Sequence, residues 1–176
     1  MVLLSQFFIS CSSDNSSSSN PSSTNVGFSM KVNGVDCSIS TPTTNATLYW
    51  NLVTNNDGSH YYKIVALFRR NGITYTLPNT LNLKLKTENL TVNQTFPASS
   101  QYSSSNPINM SIWDGGDLRL YTCNTNTTGQ IKITQFDGVT MSGEISFTNL
   151  FELSNYSTMP FANITDCFFT NIPKKI

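Results

Sequence analysis

Apolar and polar residues alternate through most of this chain, and that period constrains its fold more than any other feature. Every second position is apolar in segments 28–32, 46–52, 81–85, 131–133 and 141–147. A two-residue period sends side chains to opposite faces of an extended backbone, so it predicts half-buried strands of antiparallel sheets. Segment 64–68 (IVALF) is apolar throughout, and we expect it to be a central strand covered on both faces.

Turn signals separate these segments. Asn33-Gly34, Asn71-Gly72 and Asp137-Gly138 each follow one apolar segment and precede another, as residues of tight β-hairpin turns do. No segment sustains a helical period, and residues 97–110 form the longest loop-like stretch. The pattern predicts an all-β fold of about nine or ten strands, either an antiparallel sandwich or an open barrel.

Charge is scarce in this chain. Ten Lys and Arg balance ten Asp and Glu, and charged residues make up 11% of the sequence, against about 25% in an ordinary soluble domain. A balanced, scattered charge cannot bind nucleic acid through counterion release, so we expect no nucleic-acid partner. Asn, Ser and Thr take the place of the charges, which is typical of an extracytoplasmic β protein.

The first 25 residues differ from the rest. Residues 2–10 (VLLSQFFIS) are apolar but shorter than the roughly 20 residues that span a bilayer, and they have the length of a signal-peptide core. Residues 8–11 (FISC) have the pattern of a lipobox, in which a small residue precedes the cysteine that receives diacylglycerol. Residues 12–25 (SSDNSSSSNPSSTN) lack large apolar side chains and predict a flexible, solvated tether.

We therefore expect Cys11 to be the lipid attachment site. The expected organisation is a signal peptide at 1–10, a lipidated tether at 11–25 and one β domain at 26–176. No Lys or Arg precedes the apolar run, so a basic segment is expected upstream of Met1. Several acyl chains hold a protein firmly to a membrane. The predicted location is the cell envelope, at the outer membrane, on either its periplasmic or its surface face.

Three further segments have a recognisable pattern: FSMKVNGVD (28–36), GQIKITQFDGVTMSGEISFTN (129–149) and NITDCFFTNIP (163–173). Together with the lipobox and the Ser-rich tether they resemble a family of small lipoproteins from Bacteroidota. The first segment is similar to that family's first strand, F-x-x-K-V-N-G, and the second to its hairpin of an I-T-x-F-D strand and an S-G-x-x-S-F strand. The third is similar to its closing strand, I-T-D-G-x-F-x-N-I. The resemblance implies a β-rich fold and an envelope location, and it brings no established activity.

Two cysteines depart from the family pattern, which has an aromatic residue where Cys37 stands and Gly where Cys167 stands. If the terminal strands lie side by side, these two form a disulfide, which an extracytoplasmic compartment permits. It would close a loop of about 130 residues and contribute about 4–5 kcal/mol in the chain-entropy model. Cys123 is then unpaired; a Cys37–Cys123 bridge and three buried thiols are the alternatives.

Candidate catalytic residues are few. His60 is the only histidine, which excludes a His-rich metal site, and we expect it at a strand edge. Asp114 and Asp117 flank Gly115-Gly116, with Tyr121 beyond. Their spacing is not that of a calcium loop, and a polar turn between strands is the favoured interpretation.

The leading functional hypothesis is a non-catalytic binding or accessory module that engages a glycan or an envelope protein through loop residues. The ligand-binding candidates are Tyr102, Trp113, Asp114, Asp117 and Tyr121. A glycan-directed hydrolase that uses Asp114 and Asp117 is the alternative, and a purely structural role is the third. No cofactor or metal is expected.

Lipidation of Cys11 is testable in a diderm host that expresses the full-length gene product with radiolabelled palmitate. We expect label in the protein and sedimentation with membranes. Cys11→Ala should abolish both, whereas the adjacent exchange Ser12→Ala should leave both intact. Absence of label from the wild type, or membrane fractionation of Cys11→Ala, would contradict the assignment.

Overall fold

The structure, a computed structural model, describes residues 25–39, 47–72, 78–98, 108–114, 117–153 and 161–176, with backbone alone for residues 108–114, 117 and 118. No helix long and apolar enough to span a bilayer occurs in these ranges. The described residues form the strands β1 (Gly27–Val32), β2 (Val35–Ile39), β3 (Leu48–Thr54), β4 (His60–Arg70), β5 (Asn79–Leu85), β6 (Thr95–Pro97), β7 (Ile108–Asp114), β8 (Asp117–Thr122), β9 (Thr128–Phe136), β10 (Thr140–Glu152) and β11 (Phe161–Pro173).

The all-β prediction is confirmed, with eleven described strands against the nine or ten expected. Most apolar members of the alternating segments that the structure describes face one core, among them Val32, Trp50, Leu83, Ile133 and Phe147. Leu52, near the end of β3, is an exception and is exposed. Segment 64–68 is a central part of β4: Ile64 and Val65 are both buried although they point to opposite faces. β5 pairs with one edge of β4, and β3 and β2 share the other edge.

Two of the predicted turns join neighbouring antiparallel strands directly. Asn33 and Gly34 link β1 to β2, and both have positive φ (52° and 79°). Gly138, with φ 84°, follows Asp137 between β9 and β10, and the Asp137 carboxylate accepts the amide hydrogens of Val139 and Thr140. Such left-handed positions suit glycine and asparagine, which is why these dipeptides mark the hairpins.

All the strands belong to one curled antiparallel sheet. The hydrogen-bonded order is β11-β1-β2-β4-β5-β7-β8-β10, and β10 pairs in turn with β11. The link between β8 and β10 consists of two residue pairs, Thr122 with Phe151 and Tyr121 with Glu152. β9 and β6 extend the sheet from β10, and β3 extends it from β4. The result is an incompletely closed barrel around a single core.

The two longest strands, β10 and β11, have 13 residues each and pair along nearly their whole length. β11 pairs with β1 on its other edge, while β10 pairs there with β9 and then with β8. Inward side chains of both strands, such as Ile145, Phe147 and Phe169, are fully buried. This ladder therefore joins both ends of the sheet.

Gly143 tests how tightly this ladder packs. A Cβ atom at this position would lie 2.5 Å from the Lys132 carbonyl oxygen and would also collide with the Phe169 ring. We expect Gly143→Ala to lower the free energy of unfolding by about 2–3 kcal/mol, because backbone and buried ring cannot yield freely.

The matched control is Gly27→Ala in β1, where the added Cβ would meet Thr170 at an ordinary 3.7 Å. This exchange should change stability by less than about 1 kcal/mol. Urea unfolding of the two variants gives the comparison. Equal losses, or a larger loss for Gly27→Ala, would contradict the packing described for β10 and β11.

Candidate functional site

A groove of about 460 Å³ lies on the outer face of β9, β10 and β11. The outward side chains along it are Gln130, Glu144, Ser146, Thr165, Asp166 and Phe168. Its volume falls in the range of small-molecule sites, and its lining combines one aromatic ring with carboxylate, amide and hydroxyl groups. Because three paired strands carry these side chains, their positions are set by the sheet.

Strand register places the groove residues in rows across the sheet. Phe168 of β11 lies opposite Glu144 of β10, which in turn lies opposite Lys132 of β9. Ser146 lies opposite Gln130 in the neighbouring row. The Phe168 side chain is 51% exposed, an unusual state for a large aromatic ring that is flanked by strands on both sides. The ring therefore forms an apolar floor between polar groups.

A β-bulge brings Asp166 into the groove. Thr165 and Asp166 together span the interval that Ser146 alone occupies in β10, and Asp166 has φ 48°, a left-handed conformation rare for a residue other than glycine. The extra residue lets Ile164 and Cys167 both face the core while Thr165 and Asp166 lie between them. Bulges and positive φ angles concentrate at functional sites because they redirect a side chain.

Two ion pairs hold the groove carboxylates. The Lys31 Nζ lies 2.9 Å from Asp166 Oδ2, and the Lys132 Nζ lies 3.5 Å from Glu144 Oε1. The hydrogen bond and the negative charge of Asp166 raise the pKa of Lys31, so that lysine stays protonated. Exposed pairs of this kind contribute little to stability. Their effect is to fix the orientation of the carboxylates while other oxygen lone pairs remain available.

The binding candidates taken from the sequence do not meet at this groove. Tyr121 is 1% exposed and belongs to the core, so its prediction as a ligand-stacking ring is wrong: β8 turns it toward the barrel interior. Asp114 ends β7 and Asp117 begins β8, and the two residues pair with each other across these antiparallel strands. Trp113 has described backbone only, and Tyr102 and Cys11 lie outside the described residues.

Cys37, Cys123 and Cys167 are buried and form no disulfide, so the structure does not contain the predicted Cys37–Cys167 bridge. β1 separates β2, which carries Cys37, from β11, which carries Cys167. Two strand spacings amount to about 10 Å between Cα atoms, and a disulfide needs less than about 7 Å. Burial raises the pKa of Cys37 to about 11 and that of Cys167 further, so both stay protonated.

His60 begins β4 and lies in a second pocket, of about 310 Å³, beside Lys86 and Glu88. Its Nε2 donates a hydrogen bond to the Glu88 carbonyl oxygen at 3.0 Å. This is the strand-edge position expected from the sequence. Among the residues that the structure describes, no group of three or more His, Cys, Asp or Glu side chains could hold a metal ion.

The groove itself was not foreseen from the sequence. Phe168 and Phe169 are adjacent, and a strand sends one of them inward and the other outward. An aromatic pair within an alternating strand was the available signal that one ring faces solvent.

Comparisons of the chain with protein-family models, with curated proteins and with solved structures returned no match.

Proposed function

We propose that this chain is a lipid-anchored, non-catalytic binding module of the cell envelope that takes a neutral glycan in the groove of β9, β10 and β11. The main observation in support is the exposed Phe168 ring, which lies between the carboxylates of Asp166 and Glu144. Lys31 and Lys132 form ion pairs with these two carboxylates. A sugar ring has an apolar face of C–H groups and an edge of hydroxyl groups, and this groove offers a partner for each.

Phe168 supplies the apolar partner. The face of an aromatic ring is electron-rich and attracts the weakly positive C–H groups of a pyranose stacked on it. Phe168 is 51% exposed, so stacking of a sugar on its ring would remove apolar area from water. A site that needs no rearrangement avoids the entropy cost of ordering flexible loops.

Glu144, Asp166, Gln130 and Ser146 supply the polar partners. Carboxylate and amide oxygens accept hydrogen bonds from sugar hydroxyls, and the Gln130 amide and Ser146 hydroxyl also donate them. The groove carboxylates are already balanced by Lys31 and Lys132. A neutral ligand leaves this balance unchanged, whereas an anionic one would face two acids at the centre of the groove.

The predicted lipid at Cys11 would keep this groove at the envelope surface, where glycans are concentrated. The alternative partner of such a binding module is another protein of the cell envelope instead of a glycan. The second candidate activity, hydrolysis through Asp114 and Asp117, has weaker support because the two acids pair with each other at the adjacent ends of β7 and β8, away from the groove.

The test is binding of neutral oligosaccharides on a glycan array, followed by calorimetric titration with the best ligand. We expect Phe168→Ala to weaken binding at least about tenfold, which corresponds to about 1.4 kcal/mol of lost stacking. The matched control is Phe161→Ala, which removes a 43% exposed ring from the same strand outside the groove.

Equal affinity of wild type and Phe168→Ala would contradict the proposed site. The same conclusion would follow if Phe161→Ala weakened binding as strongly as Phe168→Ala. An array without any bound neutral glycan would contradict the proposed ligand class. Circular dichroism of both variants establishes that the fold is retained.

A further inference from the structure

One end of the barrel is the end at which the predicted tether joins the β domain, and we call it the tether end. β1 begins there beside the last residues of β11, where the Asn171 side-chain amide donates a hydrogen bond to the Asn25 carbonyl oxygen. The hairpin turn between β9 and β10 lies at the same end, since Thr140 pairs with Pro173. The tether end is distinct from the groove, which lies on the outer wall of the barrel.

Large apolar side chains are exposed at the tether end. Leu52 shares a face of β3 with Leu48 and Trp50, which are buried, but it lies nearer the end of the strand and is 43% exposed. Val139, in the turn between β9 and β10, is 67% exposed. Val92 is exposed in the turn that leads into β6, beside the last residues of β9. Exposed apolar side chains gathered at one place mark an interaction surface.

Two lysines lie between these apolar residues. The Lys174 backbone amide donates a hydrogen bond to the Val139 carbonyl oxygen, and the Lys175 amide donates one to the Trp50 carbonyl oxygen. The Lys174 Nζ lies 5.4 Å from the centre of the Trp50 ring, and the Lys175 Nζ lies 4.4 Å from the centre of the Tyr49 ring. Both lysines are nevertheless exposed, so their stems cover aromatic surface while their charges remain close to water.

An aromatic cluster fixes the base of the tether end. The rings of Trp50, Tyr62 and Phe136 contact one another, with centroids 5.4 to 5.9 Å apart. Trp50 belongs to the core, and Tyr62 and Phe136 pack against it. The exposed apolar residues and the lysines are therefore presented by ordered strands and a tight turn.

The acids of this end do not neutralise the two lysines directly. Asp57 and Asp137 accept hydrogen bonds from backbone amides of their own turns, and Glu88 lies beside Lys86 in the second pocket. Within the described residues, neither of the two lysines over the aromatic rings lies within ion-pair distance of a carboxylate. Their charges are thus available to an anionic partner.

We propose that the tether end docks on the surface of an anionic lipid bilayer. Lys174 and Lys175 meet the lipid phosphates, and Leu52 and Val139 enter the boundary between headgroups and acyl chains. In the cell this docking rests on the proposed lipid anchor at Cys11, because a chain that enters at this end holds it toward the membrane. The groove on the outer wall then stays open to a glycan.

The test is co-sedimentation of the full-length Cys11→Ala protein with vesicles of phosphatidylcholine alone or of phosphatidylcholine and phosphatidylglycerol in equal parts. This variant cannot be acylated, so failure of the predicted lipidation does not affect the result. Residues 2–10 carry no charged side chain and contribute equally to both vesicle types. We expect binding at least about tenfold stronger to the anionic vesicles, and a decrease of that binding with added salt.

Two changes at the tether end should weaken binding to the anionic vesicles. The double exchange Lys174→Gln with Lys175→Gln should weaken it at least about tenfold, because each lysine near such a surface adds to the attraction. Leu52→Asn should weaken it several-fold. The matched control is Phe161→Asn, which removes an equally exposed apolar side chain (43%) from the opposite end of β11 and should leave binding unchanged.

Equal binding to neutral and anionic vesicles would overturn the proposal. So would unchanged binding of both tether-end variants, or an equal loss in Phe161→Asn. A dimer in lipid-free solution that Leu52→Asn dissociates, measured by analytical ultracentrifugation, would show that a second copy covers this end and would also overturn it. Circular dichroism of each variant establishes that the fold is retained. None of these measurements involves the glycan groove, so failure of the proposed glycan binding is separate.

Discussion

The pairing of β10 with β11 is the interaction on which the rest of the structure depends. These 13-residue strands connect the part of the curled sheet that begins with β1 to the part that ends with β8. Their inward side chains, including Phe147 and Phe169, fill the centre of the core. Their outward side chains form most of the groove. One ladder thus determines both stability and the proposed binding surface.

Two polar features of the molecule depend on departures from regular structure. On the outside, a single extra residue at Asp166 shifts the alternation of β11 and brings a carboxylate beside Phe168 and within reach of Lys31. On the inside, Arg70, Arg119 and Glu152 occupy positions that the alternation assigns to apolar residues. A positive φ at a residue other than glycine and the burial of charged side chains both carry a free-energy cost in general, so neither feature follows from the alternating pattern alone.

The sequence was sufficient to predict most of the strands, because each of these depends on its own alternating residues and on adjacent Gly-containing turns. It did not predict β7, which begins at Ile108 within the stretch 97–110 that was expected to be a loop. It was insufficient where the outcome depends on which strands meet. In segment 118–123 (LRLYTC) both faces of the strand carry apolar residues, so the alternation does not show which face is buried. Tyr121 points inward because of the way β8 packs in the curled sheet. Cys37 and Cys167 do belong to neighbouring parts of the sheet, yet β1 passes between them. Phe168 is exposed because the bulge at Thr165 and Asp166 shifts the inward–outward alternation of β11 by one residue. The local sequence pattern does not indicate this bulge.

Native-state hydrogen exchange tests the central claim, that the β10–β11 ladder holds the barrel together. The slowest amides should lie in β10 and β11, at free energies equal to that of global unfolding. Amides of the short edge strand β6 should exchange through smaller, local openings. Exchange of the β10–β11 amides at lower free energy than those of β4 and β5 would show that the ladder opens while the remaining sheet persists, and would contradict the account.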